Sequence, residues 1–115
     1  MMLITMSSLT ISTKLKELDF VFIHRFLSEQ SYWAKGMRAT TLRKALSHSL
    51  CFGGFVDGKQ IAFARVVTDF ATFAYLRDVF VDPAHQGCGH GKVLMQTILQ
   101  HPDLHGVTLL LHTND

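Results

Sequence analysis

Near its C-terminal third the chain passes from an apolar stretch into a turn with glycine at every second position, and from there straight into helical spacing: VFVDPAHQGCGHGKVLM, Val79 to Met95. Glycine loses more backbone freedom on folding than any other residue. Gathering Gly87, Gly89 and Gly91 where strand meets helix therefore marks a place where something must come close to the main chain. The first turn of a helix also carries N–H groups without intrahelical partners and the positive end of the helix dipole. A glycine-rich strand-to-helix turn is accordingly built to hold an anion, phosphate first.

The rest of the pattern fits around this unit. A short β-like stretch covers Leu9 to Ser12. Asp19 is placed to cap a helix that puts Phe20, Ile23 and Leu27 on one face with Phe22 and Phe26 beside them. Thr40 or Thr41 can cap a second helix carrying Leu42, Ala45 and Leu46 and ending near Ser49. CFGGFV and QIAFARVV flank Asp57-Gly58, a pair suited to the positive φ angles of a tight hairpin turn. A reversal around Thr68 to Thr72 leads into a long strand, Phe73 to Val81. The third helix spans about Gly89 to Leu99, stopped ahead of Pro102, and VTLLLH, Val107 to His112, reads as a last buried strand. The order predicts one α+β domain over residues 1–115, with a mixed, mostly antiparallel sheet flanked by helices and a single βαβ crossover from the fourth strand to the fifth.

Composition narrows the function classes. At 115 residues, 48% hydrophobic and 17% charged, the chain is a folded domain and not a disordered one. The net charge of +2 is spread without a run of Lys or Arg, so a nucleic-acid partner is not expected. Cys51 and Cys88 match neither a zinc spacing nor a disulfide framework, and the seven histidines lack ligand spacing, so no metal is expected. The start, MMLITMSS, has no signal-peptide pattern, and no apolar run reaches the roughly 20 residues of a membrane span. A cytoplasmic location, with no membrane partner, follows as the expectation.

Two nucleotide-binding fingerprints fail on the glycine turn. A Walker loop would need glycine where Gln86 stands and Ser or Thr where Val93 stands. The dinucleotide fingerprint fails because the glycines fall at 87, 89 and 91 and the preceding strands form antiparallel hairpins. The segment Val81, Pro83, Gln86, Gly87, Gly89, Gly91 instead resembles motif A of the GNAT superfamily of N-acetyltransferases, V-x-P-x-x-[Q/R]-G-x-G-x-[G/A], at every stated position. The phrases SYWAKG, FARVVTD and AYLRDVFVDP resemble a branch of small bacterial GNAT proteins. The resemblance covers nearly the whole chain and implies the GNAT fold, with acetyl-CoA as co-substrate and transfer of the acetyl group to a small-molecule primary amine by direct attack. A non-catalytic CoA-binding module, or an oligomeric partner without turnover, is the alternative.

Carried over residue by residue, the resemblance implies that main-chain amides from Gln86 through Gly87, Cys88, Gly89 and His90 to Gly91 hold the pyrophosphate; Lys92, one turn into the helix, is a candidate weak phosphate contact, with a solvated side chain as its alternative. The backbone of Val79, Phe80 and Val81 pairs with the pantetheine arm as an added strand, and an N–H near Val79 or Phe80 polarises the thioester carbonyl. Asp78, an ionisable residue inside an apolar strand, is the candidate base, with pairing to Arg65 or Arg77 as its structural alternative. Alternation places it on the face opposite Val79 and Val81. Tyr32, Trp33 and Arg65 are candidates to line the acceptor pocket, each equally plausible as core. Family members normally continue past the fifth strand into a fourth helix, often with a tyrosine that protonates the thiolate, and a final hairpin. The chain ends at Asp115, so the resemblance implies a C-terminally truncated fold in which no residue inherits that acid, or a piece of a longer protein. An unpaired edge on VTLLLH would invite a second copy, and a homodimer is expected.

Overall fold

The computed structural model describes residues 8–111. Five strands form one sheet in the order β1 (Thr10–Ser12), β2 (Leu50–Val56), β3 (Lys59–Thr68), β4 (Phe73–Val81), β5 (Thr108–Leu111). The first four are antiparallel neighbours, and β5 runs parallel to β4 from Phe73↔Thr108 to Leu76↔Leu111. The β2–β3 turn has Asp57 at φ 51° and Gly58 at φ 80°, the paired positive angles that the Asp-Gly sequence anticipates. His112 of the expected last strand lies outside the described residues.

Helices cover both faces of the sheet. On one side, α1 (Phe20–Arg25), the turn that continues it and α2 (Ala39–Ser47) bury Ile23, Leu27, Leu42 and Leu46 against Cys51, Phe63 and Phe80. On the other, α3 (His90–Leu99) buries Leu94 and Ile98 against Phe52, Ala62, Ala64, Val66, Ala74 and Leu76. Asp19 caps α1 as expected, accepting from the Phe22 N–H at 3.1 Å. The second helix begins earlier than Thr40 or Thr41: Arg38 is its N-cap residue, without a side-chain cap, and the Arg38 carbonyl already accepts from Leu42 N–H at 3.1 Å.

After Arg25 the first helix widens into a π-helical turn, Phe26–Gln30, a feature absent from the apolar periodicity. Its cause is local. Ser28 and Ser31 donate their hydroxyls to the carbonyls of His24 and Leu27, both at 2.6 Å, competing with the regular ladder, and Ser31 N–H bonds five residues back to Phe26 O at 3.0 Å. The segment that follows is tied down by Gly36 N–H to Ser28 O at 2.9 Å and by His24 Nε2 to Met37 O at 2.8 Å. Tyr32 and Trp33 are thereby held over the sheet.

The sheet carries one irregularity that matters for function. Arg65 of β3 pairs with Arg77 of β4 and Phe63 pairs with Phe80, so Ala64 stands opposite two residues, Asp78 and Val79. This is a β-bulge, and Asp78 adopts φ 55° within it. The bulge exchanges the two faces of the strand. Ala74 and Leu76 belong to the α3 core, whereas Phe80, of the same parity, lies in the α1/α2 core, its ring stacked on Phe26 with centroids 3.8 Å apart. Val79 and Val81 pack on the α3 side.

Cys51 is buried in the α1/α2 core, and burial pushes its thiol from 9.0 up to about 12. Above pH 9.0 the unfolded chain releases this proton while the folded chain keeps it until about pH 12, so stability falls as pH rises through that window. Cys51→Ala is expected to flatten this part of the alkaline limb in urea titrations between those values. An unchanged slope would contradict it.

Candidate active site

The glycine turn links the end of β4 to α3. Asp82 and the short 3₁₀ turn Pro83–His85 start it, with Asp82 accepting from Ala84 N–H at 3.2 Å. Gln86 then reaches back, donating from Nε2 to the Val81 carbonyl at 3.0 Å, so its side chain braces the turn against the strand. Gly87 and Gly89 have φ 81° and 82°, a region costly for any residue with a Cβ, and a Cβ at either would meet no protein atom within 4 Å. Gly91 is helical, and a Cβ there would make an ordinary 3.8 Å contact with Val81 Cγ2. Conformation therefore requires glycine at 87 and 89 but not at 91.

Gly89 is the N-cap residue of α3, and no side chain caps the helix. The first backbone bond into it runs from Val93 N–H to Gly89 O at 3.2 Å. Beside the turn lies a cavity of about 290 Å³ bounded by Val79 to Val81, His85, Gln86, Gly87 and Gly89 to Gly91. Among the candidate residues, Cys88 and Lys92 are exposed and do not line it. His85 does line it and was missed by sequence reasoning. Its ring centroid is 6.4 Å from that of His90, and its Nδ1 is buried without a hydrogen-bond partner among the described residues.

A second cavity, about 470 Å³, lies beside the first on the β4 edge. Its walls are Tyr32, Trp33, Tyr75, Leu76, Arg77, Asp78, Val79, Met95 and Leu111. Val79 is common to both cavities. The bulge accounts for the join, because it brings Asp78 and Val79 opposite a single residue of β3 and turns them to opposite faces at the meeting point.

Arg65 departs from its expected place. It does not line the larger cavity but sits behind it, donating from Nε to Asp78 Oδ2 at 2.7 Å and from Nη1 to Ser49 Oγ at 3.2 Å. Trp33 Nε1 donates to the other oxygen, Asp78 Oδ1, at 2.8 Å. Asp78 therefore pairs with Arg65 and not with Arg77, and both of its oxygens are engaged within the protein. The ion pair is nearly dry, with side-chain exposures of 11% for Arg65 and 1% for Asp78. Tyr32, Trp33 and Asp78 line one cavity, together with Tyr75 and Arg77, which the sequence reading did not place there.

The profile of the Acetyltransferase (GNAT) family matches residues 17–115. The chain belongs to the GNAT acetyltransferase family. A candidate acetyltransferase of that family from Xanthomonas campestris pv. campestris, known from its crystal structure, is 51% identical with a TM-score of 0.92, covering 96% of this chain and 79% of that one. A candidate acetyltransferase of Gibberella zeae is 32% identical over 62% of this chain and 50% of its own length. The chloroplastic GCN5-related N-acetyltransferase 1 of Arabidopsis thaliana is 37% identical over 43% of this chain and 25% of its own length. The chain thus spans half or less of the length of these curated relatives. Its sheet, with the β4 bulge and the turn into α3, is the GNAT fold.

The two cysteines offer a check on the turn. Cys88 is exposed and Cys51 buried, so iodoacetamide is expected to label Cys88 alone in the folded chain. A phosphate-bearing ligand held by the turn would slow that labelling several-fold, as read by mass spectrometry. Equal rates with and without it would separate the turn from the ligand.

Proposed function

We propose that the protein is an acetyl-CoA-dependent N-acetyltransferase acting on the primary amine of a small molecule. The observation that carries this reading is the shared wall at Val79: an uncapped, glycine-shaped helix N-terminus opens on one side of it and an aromatic-walled cavity on the other. A phosphate-bearing ligand anchored at the first would lay its far end in the second. The residues present fit such a ligand, since Gly87 and Gly89 leave free the space that a Cβ would take.

Acetyl-CoA, as co-substrate, supplies the acetyl group as a thioester that the amine attacks directly. In this reading the amides of the turn from Gln86 to Gly91 bind the diphosphate through the helix dipole and their free N–H groups. Lys92, exposed one turn into α3, adds charge at longer range. The β4 edge at Val79 to Val81 holds the pantetheine arm, and an N–H at the bulge stabilises the oxyanion of the tetrahedral intermediate. Asp78, engaged by Trp33 and Arg65, serves as a positioning residue that fixes the cavity wall. The departing thiolate, with a reference thiol pKa of about 8.5, is a tolerable leaving group near neutral pH.

The full engagement of Asp78 is also what favours the second reading, a module that binds CoA without turnover. Calorimetry with acetyl-CoA, beside chromatographic measurement of CoA release over a panel of amines, separates the two. Binding with amine-dependent release supports the transferase. Binding without release supports the module, and no binding removes both.

A further inference from the structure

We propose that the acceptor amine also carries a carboxylate, and that Arg77 receives it; this deepens, and rests on, the transferase reading above. The bulge sets Arg77 and Asp78 side by side on the wall of the larger cavity. Their charges do not cancel each other. Asp78 is neutralised from behind by Arg65, whose guanidinium is 2.7 Å away and does not itself reach the cavity. Arg77 has no carboxylate and no hydrogen bond to meet its guanidinium among the described residues, so the described part of the wall presents one net positive charge.

That charge selects by chemistry. A simple alkylamine enters as a cation and is repelled, while an amine with a carboxylate brings the compensating charge. The guanidinium lies 5.8 Å from the Tyr75 ring centroid, a contact that orients its planar fork, and such a fork matches a carboxylate through two parallel hydrogen bonds. Arg77 and Val79 are two residues apart on β4, and both line the larger cavity. An acceptor with its amine and carboxylate a few bonds apart can therefore rest on Arg77 while its nitrogen lies at the bulge. Tyr32, Trp33 and Met95 provide an aromatic and apolar wall for the rest of it. The class that fits is an apolar or aromatic amino acid.

Trp33 is the chain's single tryptophan, so its fluorescence reports occupancy of this cavity whether or not turnover occurs. Matched pairs that differ only in the carboxylate, phenylalanine against phenethylamine and leucine against isopentylamine, are titrated against the full chain with CoA present, and CoA release from acetyl-CoA is measured by chromatography. The carboxylated member is expected to bind, and to be acetylated, at least about tenfold better, the scale of one charge-assisted hydrogen-bonded contact. Arg77→Ala is expected to bring that ratio close to one and Arg77→Lys to keep part of it; Arg77 is exposed, and circular dichroism verifies that both variants fold. Plain amines binding as well as their partners, a ratio that survives in Arg77→Ala, or a Trp33 signal and CoA release that respond to neither member would each overturn the proposal. Failure of the transferase reading looks different: acetyl-CoA does not bind, while the carboxylated amines still titrate Trp33.

Discussion

Replacing Gly89 by leucine is expected to weaken acetyl-CoA binding about 100-fold or more while leaving the chain folded. Two effects act together. Gly89 holds φ 82° as the N-cap residue of α3, and a residue with a Cβ pays roughly 1–2 kcal/mol to stay in that region. Its side chain would also project into space that contains no protein atom within 4 Å, the space assigned here to the diphosphate. Gly89→Ala separates the terms, since it adds the strain with little bulk and should lose far less affinity than leucine. Gly91→Ala is the companion: a helical position with a 3.8 Å contact should accept the methyl group with little change. Calorimetry across the three variants reads the order directly. Equal affinity in Gly89→Leu would remove the turn from the site.

The second large effect belongs to the buried ion pair. Arg65→Ala is expected to destabilise the fold by about 3–5 kcal/mol, because it leaves the Asp78 carboxylate almost dry and without its counter-charge. Trp33 loses its fixed acceptor geometry at the same time, so turnover should fall further than stability alone explains. The double replacement Arg65→Leu with Asp78→Asn is expected to recover part of the stability and none of the activity, since it removes the unpaired buried charge while asparagine still tolerates φ 55° at this position. Urea denaturation gives the first comparison and CoA release the second. A single Arg65→Ala variant as stable as the parent would show that the pair contributes little.

These expectations draw on features of unequal visibility in the sequence. The strand-to-helix turn could be read because glycine is demanded by backbone angles at Gly87 and Gly89, and because Gln86 and Pro83 fix the register of a known motif. The hairpin at Asp57-Gly58 was legible for the same reason, a local conformation that few residues adopt. The second helix start was not, because the backbone of Arg38 begins the helix while Thr40 and Thr41, residues that could have capped, lie inside it. The π-helical turn was hidden because serine hydroxyls, which leave no mark on hydropathy, redirected the hydrogen bonds.

The bulge is the most instructive omission. Alternation gave the right faces for Asp78, Val79 and Val81 but could not show that Leu76 and Phe80 lie in different cores. A trace was present: Arg-Asp inside an apolar strand, with aspartate tolerant of positive φ. Nothing in the spacing, however, said whether Arg65 or Arg77 would take Asp78. That choice is tertiary, made by Cys51↔Arg65 pairing on the neighbouring strand and by Ser49 at its end. It decides which arginine is left to face a ligand.

In the proposed reading, main-chain nitrogens at the start of α3 grip the diphosphate of coenzyme A. Backbone amide proton–nitrogen spectra recorded during titration with CoA test it residue by residue. The largest shifts are expected at Gln86 to Lys92 and at Val79 to Val81, with the α2 amides unmoved. Shifts confined to the surface cavity that holds Arg25 and Lys59, with the amides of the glycine turn unchanged, would contradict it.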